Sequence, residues 1–259
     1  MIDYQTLPLL LIFAVSLVLM LAANEVGRYV RRRWSRVRSD ENVSTLESAV
    51  LGLLALMIGF TFAMALSHYD ARRDAVLNEA NAIGTTALRA RLLPAPHNAE
   101  SLKLLRDYTQ LRLNVVKSIR IQAELNVFID RSNAIQEALW QQAKAVMPKD
   151  AGVVPTGLFI QSLNDMIDQQ QKRITAFRTR IPDMVMNALY GIALVAAGLI
   201  GYSSGLGARR TYLPNYVVIV LVAAVILFIQ DLGRPEAGFI RVDQQPMIDT
   251  ANSLAGYKD

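Results

Sequence analysis

The sequence contains four long apolar runs, arranged as two pairs on either side of a polar middle segment. The runs cover residues 7–23, 49–66, 184–202 and 212–229, and none of them contains Lys, Arg, Asp or Glu. Each is roughly 17–19 residues long, which is enough for an α-helix to cross the hydrocarbon core of a bilayer. The layout therefore predicts a four-pass membrane protein with a large insertion between the second and third membrane helices.

The amino-acid composition limits the kinds of site and partner that the protein can have. The chain has no cysteine, which excludes disulfides, thiolate catalysis, Cys-ligated zinc and iron–sulfur clusters. Its net charge of +5 does not indicate nucleic acid, because six arginines lie in the short first loop, where anionic lipid is the expected partner. The first run is expected to be an uncleaved anchor, because the preceding MIDYQT has Asp3 and no basic residue.

The charge pattern leaves the orientation open. Short cytoplasmic loops are enriched in Lys and Arg, so the first loop and Arg209 and Arg210 favour an extracytoplasmic position for both termini and the middle segment. Basic residues that flank the middle segment argue for the opposite: Arg72, Arg73, Lys172, Arg173, Arg178 and Arg180. The expected location is the bacterial inner membrane, with the extracytoplasmic side favoured for the lobe.

The middle segment is predicted to be helical. Its first helix continues the second run to about residue 93 and ends at the prolines of 94–96. The second is expected from Asn98 to Met147, and the third from beyond Gly157 to a joint at Pro182. The second and third helices carry apolar stripes with coiled-coil-like spacing, which indicate packing within the chain or, alternatively, a partner-binding groove.

These elements give an all-α fold: a four-helix transmembrane bundle with helices two and three extended into an extramembrane helical bundle. Residues 1–66 hold membrane helices one and two, 67–181 the extramembrane lobe, 182–230 membrane helices three and four, and 231–259 a C-terminal juxtamembrane tail. Ser118 and Gln122 interrupt the stripe of the second lobe helix, which suggests a partly hydrated stretch there.

The third run has small residues every four positions: Ala193, Ala197, Gly201 and Gly205. This spacing places them on one helix face and predicts close helix–helix packing. The alternative is a narrow pore lined by small residues.

The second run carries a larger apolar stripe. Gly52, Leu56, Phe60 and Met64 are each four positions apart, and such a stripe usually faces lipid or a neighbouring helix. In an oligomer the stripe could instead surround an axis and gate a pore by dewetting. No ionisable residue lies within the runs, which disfavours a proton relay or a voltage sensor.

The sequence offers little catalytic chemistry. The two histidines, His68 and His97, are isolated, and no P-loop, dinucleotide-binding, zincin or nucleophile-elbow motif is present. We therefore predict no catalytic residue, no metal site and no cofactor.

Two polar clusters, residues 78–94 and 231–241, are expected at the same membrane face. Their simplest interpretation is helix capping and interfacial anchoring. The sharper hypothesis is that Glu79 pairs with Arg234 and Arg89 with Asp231, which would couple the lobe to the membrane helices.

The same clusters resemble a known family. The stretch EANAIGTTALRARLLPAP at residues 79–96, a following helix with Tyr108, and DLGRPEAGFIRV at 231–242 are similar to the bacterial bestrophin-like family of four-pass membrane proteins, over about residues 47–247. Members commonly have Asp-Leu-Asp-Arg-Pro where this chain has Gly233 as the third residue. Any role that needs two carboxylates there is therefore in doubt.

The resemblance also implies a function. Bestrophins are homopentameric anion channels with a hydrophobic neck on membrane helix two, and the pair Gly59-Phe60 is similar to a Gly-Phe pair of that neck. The likeness makes Phe60 and Leu56 neck positions and leaves Gly52 too small to occlude. The bestrophin calcium clasp has no recognisable counterpart here, and bestrophins keep their lobe in the cytoplasm, against the arginine count.

Three functional classes follow. The first is a homo-oligomeric ion channel for chloride or another small anion, with the second run lining the pore. The second is a non-transporting membrane scaffold or sensor whose lobe binds a partner or ligand. The third, a membrane enzyme, lacks a recognisable acid or base in a polar pocket. The expected partners are the lipid bilayer and further copies of the chain, and no nucleic acid.

Overall fold

The computed structural model describes residues 8–34, 40–118, 122–147, 154–206, 212–234 and 238–257. In these segments the backbone forms α-helices and one short 3-10 helix, without a strand, which confirms the all-α class. The helices are α1 Leu9–Trp34, α2 Asp40–Ala90, α3 His97–Ser118, α4 Gln122–Val146, α5 Val154–Arg178, α6 Asp183–Ser203, α7 Tyr212–Gly233 and α8 Gln245–Gly256; the 3-10 helix covers Ser204–Leu206.

Four helical segments are long and apolar enough to cross a membrane, as the four runs predicted. They are Leu9–Arg33, Asn42–Ala90, Val154–Ser203 and Tyr212–Gly233. The second is much longer than the roughly 20 residues that a bilayer core requires. The protein is therefore a multi-pass membrane protein, and one of its membrane helices extends well past the bilayer.

The chain forms two compact units. The first, here called the membrane unit, comprises residues 1–69 and 180–240, and the second, the lobe, comprises residues 70–179 and 241–259. Residues 231–259 were expected to form a juxtamembrane tail, whereas α8 within them belongs to the lobe. The reason is hydrophobic: Met247 and Leu254 of α8 are buried in the lobe core.

Helices α1 and α6 of the membrane unit approach each other closely. A Cβ atom on Gly201 would lie 1.9 Å from the carbonyl oxygen of Asn24, and one on Gly27 would lie 2.0 Å from that of Gly198. Neither position can accept a side chain without moving the opposite backbone. The glycines therefore set the distance between the two helices, as small residues do in membrane helix pairs.

The remaining small residues of the α6 stripe have different surroundings. Ala193 and Ala197 are buried in the core of the membrane unit. Gly205 lies in the 3-10 helix, where a Cβ atom would come within 2.7 Å of the Arg31 side chain. The stripe thus extends from the core of the bundle to the arginine-rich end of α1.

The second lobe helix that the sequence predicted is two helices. Residues 119–121 fall outside the described residues, and α3 and α4 on either side of them pack together as an antiparallel pair, with His97 Nδ1 2.8 Å from Gln142 Oε1. The prediction of one helix from 98 to 147 was wrong because a straight helix would leave its apolar stripe without a partner. Folding back buries Leu105 and Leu139 in one core.

The expected joint before the third membrane helix is present. Helix α5 ends at Arg178 and α6 begins at Asp183, and Pro182 has an extended backbone with φ −57° and ψ 134°. Proline disfavours a helical conformation of the residue before it and has no backbone N–H. This explains why the helix is interrupted here.

Candidate functional site

The apolar stripe of α2 is exposed in the single chain. Leu56 and Phe60 have 56% and 65% of their surface exposed, Gly52 is also exposed, and Met64 is half-buried. A Cβ atom on Gly52 or Gly59 would meet nothing within 4 Å. A continuous face of α2 is therefore free to contact lipid or another copy of the chain.

The opposite face of α2 belongs to the core of the membrane unit. Leu54, Thr61 and Ala65 are 3%, 1% and 0% exposed, and the Thr61 hydroxyl donates to the Met57 carbonyl oxygen at 2.6 Å. Phe62, which is 40% exposed, lies beside this buried face, because at about 100° per residue it is roughly 200° around the helix from Phe60. The buried face fixes the rotation of α2, and thereby the direction in which the stripe points.

A second polar arrangement lies within the lobe. Glu79 of α2 is fully buried and contacts arginines from two other helices. Arg112 Nε of α3 lies 2.8 Å from Glu79 Oε1, and Arg173 of α5 donates to Oε2. The Tyr108 hydroxyl donates to Oε1 at 2.8 Å. One carboxylate thus joins three helices of the lobe.

These contacts give Glu79 partners within its own unit, and the suggested pairing with Arg234 stays a prediction. The hypothesis paired Glu79 with Arg234, whereas the structure surrounds the carboxylate with Arg112, Arg173 and Tyr108 of its own unit. A fully buried carboxylate requires charged partners that are buried with it. The two guanidinium groups in the lobe core meet this requirement.

The other suggested pair, Arg89 with Asp231, also stays a prediction, and each of the two residues has contacts within its own unit. Arg89 Nη1 donates to the carbonyl oxygen of Leu158 at 2.8 Å. Asp231 accepts the backbone N–H groups of Phe239 at 2.6 Å and Ile240 at 3.0 Å. These two hydrogen bonds tie the backbone of Phe239 and Ile240 to the end of α7.

Burial and charge set the protonation of this polar core. Burial, together with the adjacent Glu79 carboxylate, raises the pKa of Tyr108 well above its usual value, so the phenol remains an O–H donor. Burial opposes the charge of Arg112, but the Glu79 carboxylate raises the pKa of this guanidinium overall. Among the described residues, the ion pairs of this core join two guanidinium groups to one carboxylate, that of Glu79.

A chain of amides leads outward from this core. Gln170 Oε1 lies 2.8 Å from the Tyr108 hydroxyl and accepts Gln136 Nε2 at 2.6 Å. Gln170 Nε2 in turn donates to Asn133 Oδ1 at 3.2 Å. The chain ends at a cavity of about 270 Å³ between α4 and α5, lined by Asn133, Gln136, Glu137, Trp140, Asn164 and Ile167.

Helix α8 closes the lobe near Arg173. Arg173 Nη2 donates to Gln244 Oε1 at 2.9 Å. Arg106 donates to the carbonyl oxygens of Leu254 at 3.1 Å and Tyr257 at 2.7 Å. A guanidinium at the end of a helix satisfies carbonyl groups that have no partner within the helix.

The sequence contained partial signals for this core. Arg112 lies four residues after Tyr108, hence on the same helix face, and Gln170 occupies a position of the apolar stripe of α5. Neither signal predicts that Arg112 contacts Glu79 or that Gln170 contacts Tyr108, because spacing within one helix does not show which helices meet. Within the residues that the structure describes, no group of His, Asp and Glu is placed to hold a metal ion.

A known protein family matches most of the chain, including the membrane helices and the lobe. The model of the Bestrophin-like domain matches residues 10–247. The chain belongs to the bestrophin-like family. This confirms the resemblance seen at residues 79–96 and 231–242. None of the curated proteins matches the sequence.

Solved structures show that this bestrophin-like protein shares its fold with a bacterial bestrophin homologue from Klebsiella pneumoniae. One single-substitution variant of that homologue has 15% identity and a TM-score of 0.67, with 95% of each chain covered. Another has 16% identity and a TM-score of 0.64, with 93% of this chain and 96% of that chain covered. A further structure, described as a membrane protein, has 13% identity, a TM-score of 0.66, and coverage of 96% and 99%.

Proposed function

We propose that this bestrophin-like protein is a homo-oligomeric anion channel in which the exposed stripe of α2 lines the pore. The observation that carries the proposal is the apolar face formed by Gly52, Leu56 and Phe60, which is exposed in the single chain. Membership of a family named for the bestrophin channels supports a channel function. Chloride or another small anion is the proposed permeant ion.

The side chains of the stripe suit a gate without fixed charge. Rings of Leu56 and Phe60 around an axis would form a constriction that excludes water and hydrated ions when it is narrow. Gly52, one turn away, is too small to occlude. Widening the ring at Phe60 is therefore expected to ease permeation more than any change on the buried face of α2.

Ion flux from proteoliposomes tests the proposal. Purified protein is expected to release trapped chloride, and Phe60→Ala is expected to raise the rate about tenfold if it lowers the barrier by roughly 1.4 kcal/mol. Phe62→Ala is the matched control, because Phe62 is exposed on the other side of the helix. A monomeric protein or an absence of ion flux would overturn the proposal. Flux of potassium without chloride would overturn the anion selectivity.

A non-transporting sensor is the second candidate. The buried Glu79 core and the cavity beside it support this function, since they form an organised polar site away from the stripe of α2. A protein that passes no ion but binds a ligand in the lobe would favour the sensor over the channel.

We propose the bacterial inner membrane as the location, and the side of the lobe can be measured directly. The arginine-rich first loop favours an extracytoplasmic lobe, whereas the family resemblance implies a cytoplasmic one. Glu100 is exposed on α3, and the chain has no other cysteine. A membrane-impermeant thiol reagent should label Glu100→Cys in intact cells only if the lobe is extracytoplasmic.

A further inference from the structure

The cavity between α4 and α5, here called the lobe cavity, has a defined set of walls. Helix α4 contributes residues at positions i, i+3, i+4 and i+7, which lie on one helix face, and α5 contributes Asn164 and Ile167. The walls combine three carboxamides, one carboxylate, one indole and one aliphatic side chain. Such a mixture of apolar surface with a few polar groups is typical of small-molecule sites.

The charge of the walls favours a cation. Glu137 is the only ionisable residue among the lining residues, which include no Lys or Arg. Asp168 lies one helical turn after Asn164, on the same face of α5, and is exposed, so it adds negative potential on that face. The lining residues include no cationic side chain that would neutralise an anion.

Trp140 adds a second recognition element for a cation. Its indole is half-buried and lies seven positions, or about two turns, after Asn133, at the end of the lining face of α4. The face of an indole attracts ammonium groups through its quadrupole, more strongly when the contact is desolvated. A carboxylate next to an indole is a combination that suits a substituted ammonium.

The inner wall is held in place. Gln136 is 6% exposed and donates to Gln170 at 2.6 Å, which is the amide next to Tyr108. These amides stand between the lobe cavity and the guanidinium groups of Arg112 and Arg173. The excess positive charge of the core is therefore separated from the ligand by a fixed polar layer.

We propose that the lobe cavity binds a small organic cation of the substituted-ammonium class, with the Trp140 ring and the Glu137 carboxylate as its principal contacts. The cavity volume of about 270 Å³ is just below the range of drug-sized sites, about 300–1,000 Å³, and suits a compact ligand. This site is distinct from the anion pathway proposed for α2, and its existence does not depend on that proposal.

The fluorescence of Trp140 can report ligand binding in the lobe cavity. The chain has two tryptophans, so Trp34→Phe leaves Trp140 as the only indole. Titration of this full-length protein with tetramethylammonium chloride is expected to change Trp140 emission saturably, whereas sodium chloride at equal ionic strength is not. Saturation-transfer NMR on the methyl protons of tetramethylammonium measures the same binding directly and needs no tryptophan.

Two substitutions decide the assignment. Glu137→Gln, at an exposed position that should tolerate the change, is expected to weaken binding about tenfold, which corresponds to about 1.4 kcal/mol. Glu100→Gln removes an exposed carboxylate that does not line the cavity and should leave affinity unchanged. No saturable signal, an equal response to sodium chloride, or unchanged affinity in Glu137→Gln would overturn the proposal. Neither readout requires ion flux, so failure of this site and failure of the proposed channel are distinguished.

Discussion

Replacing Glu79 by glutamine tests the polar core of the lobe. The substitution keeps the size of the side chain and removes its charge. It would leave Arg112 and Arg173, whose side chains are 3% and 10% exposed, without their shared counter-ion. Breaking a buried ion pair by removing one partner typically costs about 3–5 kcal/mol, because the remaining charge is buried without compensation.

The expected cost gives a measurable change in thermal stability. For a protein of this size a destabilisation of 1 kcal/mol lowers Tm by about 2–4 °C, so Glu79→Gln should lower Tm by roughly 6–20 °C. The measurement is thermal unfolding of purified protein in detergent, at fixed scan rate and fixed protein concentration. Glu100→Gln is the control, and its Tm should stay within about 2 °C of wild type, because exposed substitutions are usually within about 0.5 kcal/mol.

A double variant separates charge imbalance from loss of packing. Glu79→Gln combined with Arg112→Gln removes one of the uncompensated cations, so its destabilisation should be smaller than the sum of the two single changes. Additive effects, or a Glu79→Gln protein with wild-type Tm, would show that the carboxylate does not hold the three helices together.

Three further predictions concern single positions. Gly201→Ala should destabilise the protein by about 1–3 kcal/mol through overpacking against α1, whereas Gly191→Ala on the same helix, with open space around it, should have little effect on Tm. Tyr108→Phe should cost about 1–3 kcal/mol of folding free energy. Because the folded state raises the pKa of Tyr108, the stability linked to its ionisation is fully present below the unfolded pKa of about 10 and is lost at higher pH. The difference from wild type should therefore shrink at higher pH, which unfolding measured across a pH series would show. Asp231→Ala should cost about 1–3 kcal/mol, since two backbone N–H groups lose their acceptor, and limited proteolysis should then cut near residue 240 faster than in wild type.

Much of the architecture was predictable because it follows from patterns along a single helix. The four apolar runs gave the membrane helices, the absence of a breaker after the second run predicted that α2 continues into the lobe, and Pro182 marked the interruption before α6. Each of these predictions depends on local backbone preference or on helix length in a bilayer, which neighbouring residues determine.

The polar core was not predictable in the same way. The sequence suggested a pairing of Glu79 with Arg234, whereas the partners seen in the lobe come from α3 and α5. The choice among many arginines depends on which helices pack together. The packing of α3 against α4 was hard to predict for the same reason. Ser118 and Gln122 marked the place where the stripe breaks, but an interrupted stripe is equally compatible with one hydrated helix.

The face of α2 is a third case. The spacing of Gly52, Leu56 and Phe60 placed them on one side of a helix, and the structure shows that this side is exposed in the single chain. What covers it is determined by other molecules, namely lipid or further copies of the protein. Spacing along one helix encodes only which residues share a face, so the molecule that covers the stripe could not be predicted from it.

Cysteine modification at the stripe tests the central claim most directly. The native chain has no cysteine, so Phe60→Cys and Phe62→Cys each introduce a single thiol. If α2 lines an aqueous pore between copies of the chain, a charged, water-soluble thiol reagent should block chloride flux through Phe60→Cys and leave flux through Phe62→Cys unchanged. An unreactive thiol at Phe60→Cys in a protein that conducts chloride would contradict the account.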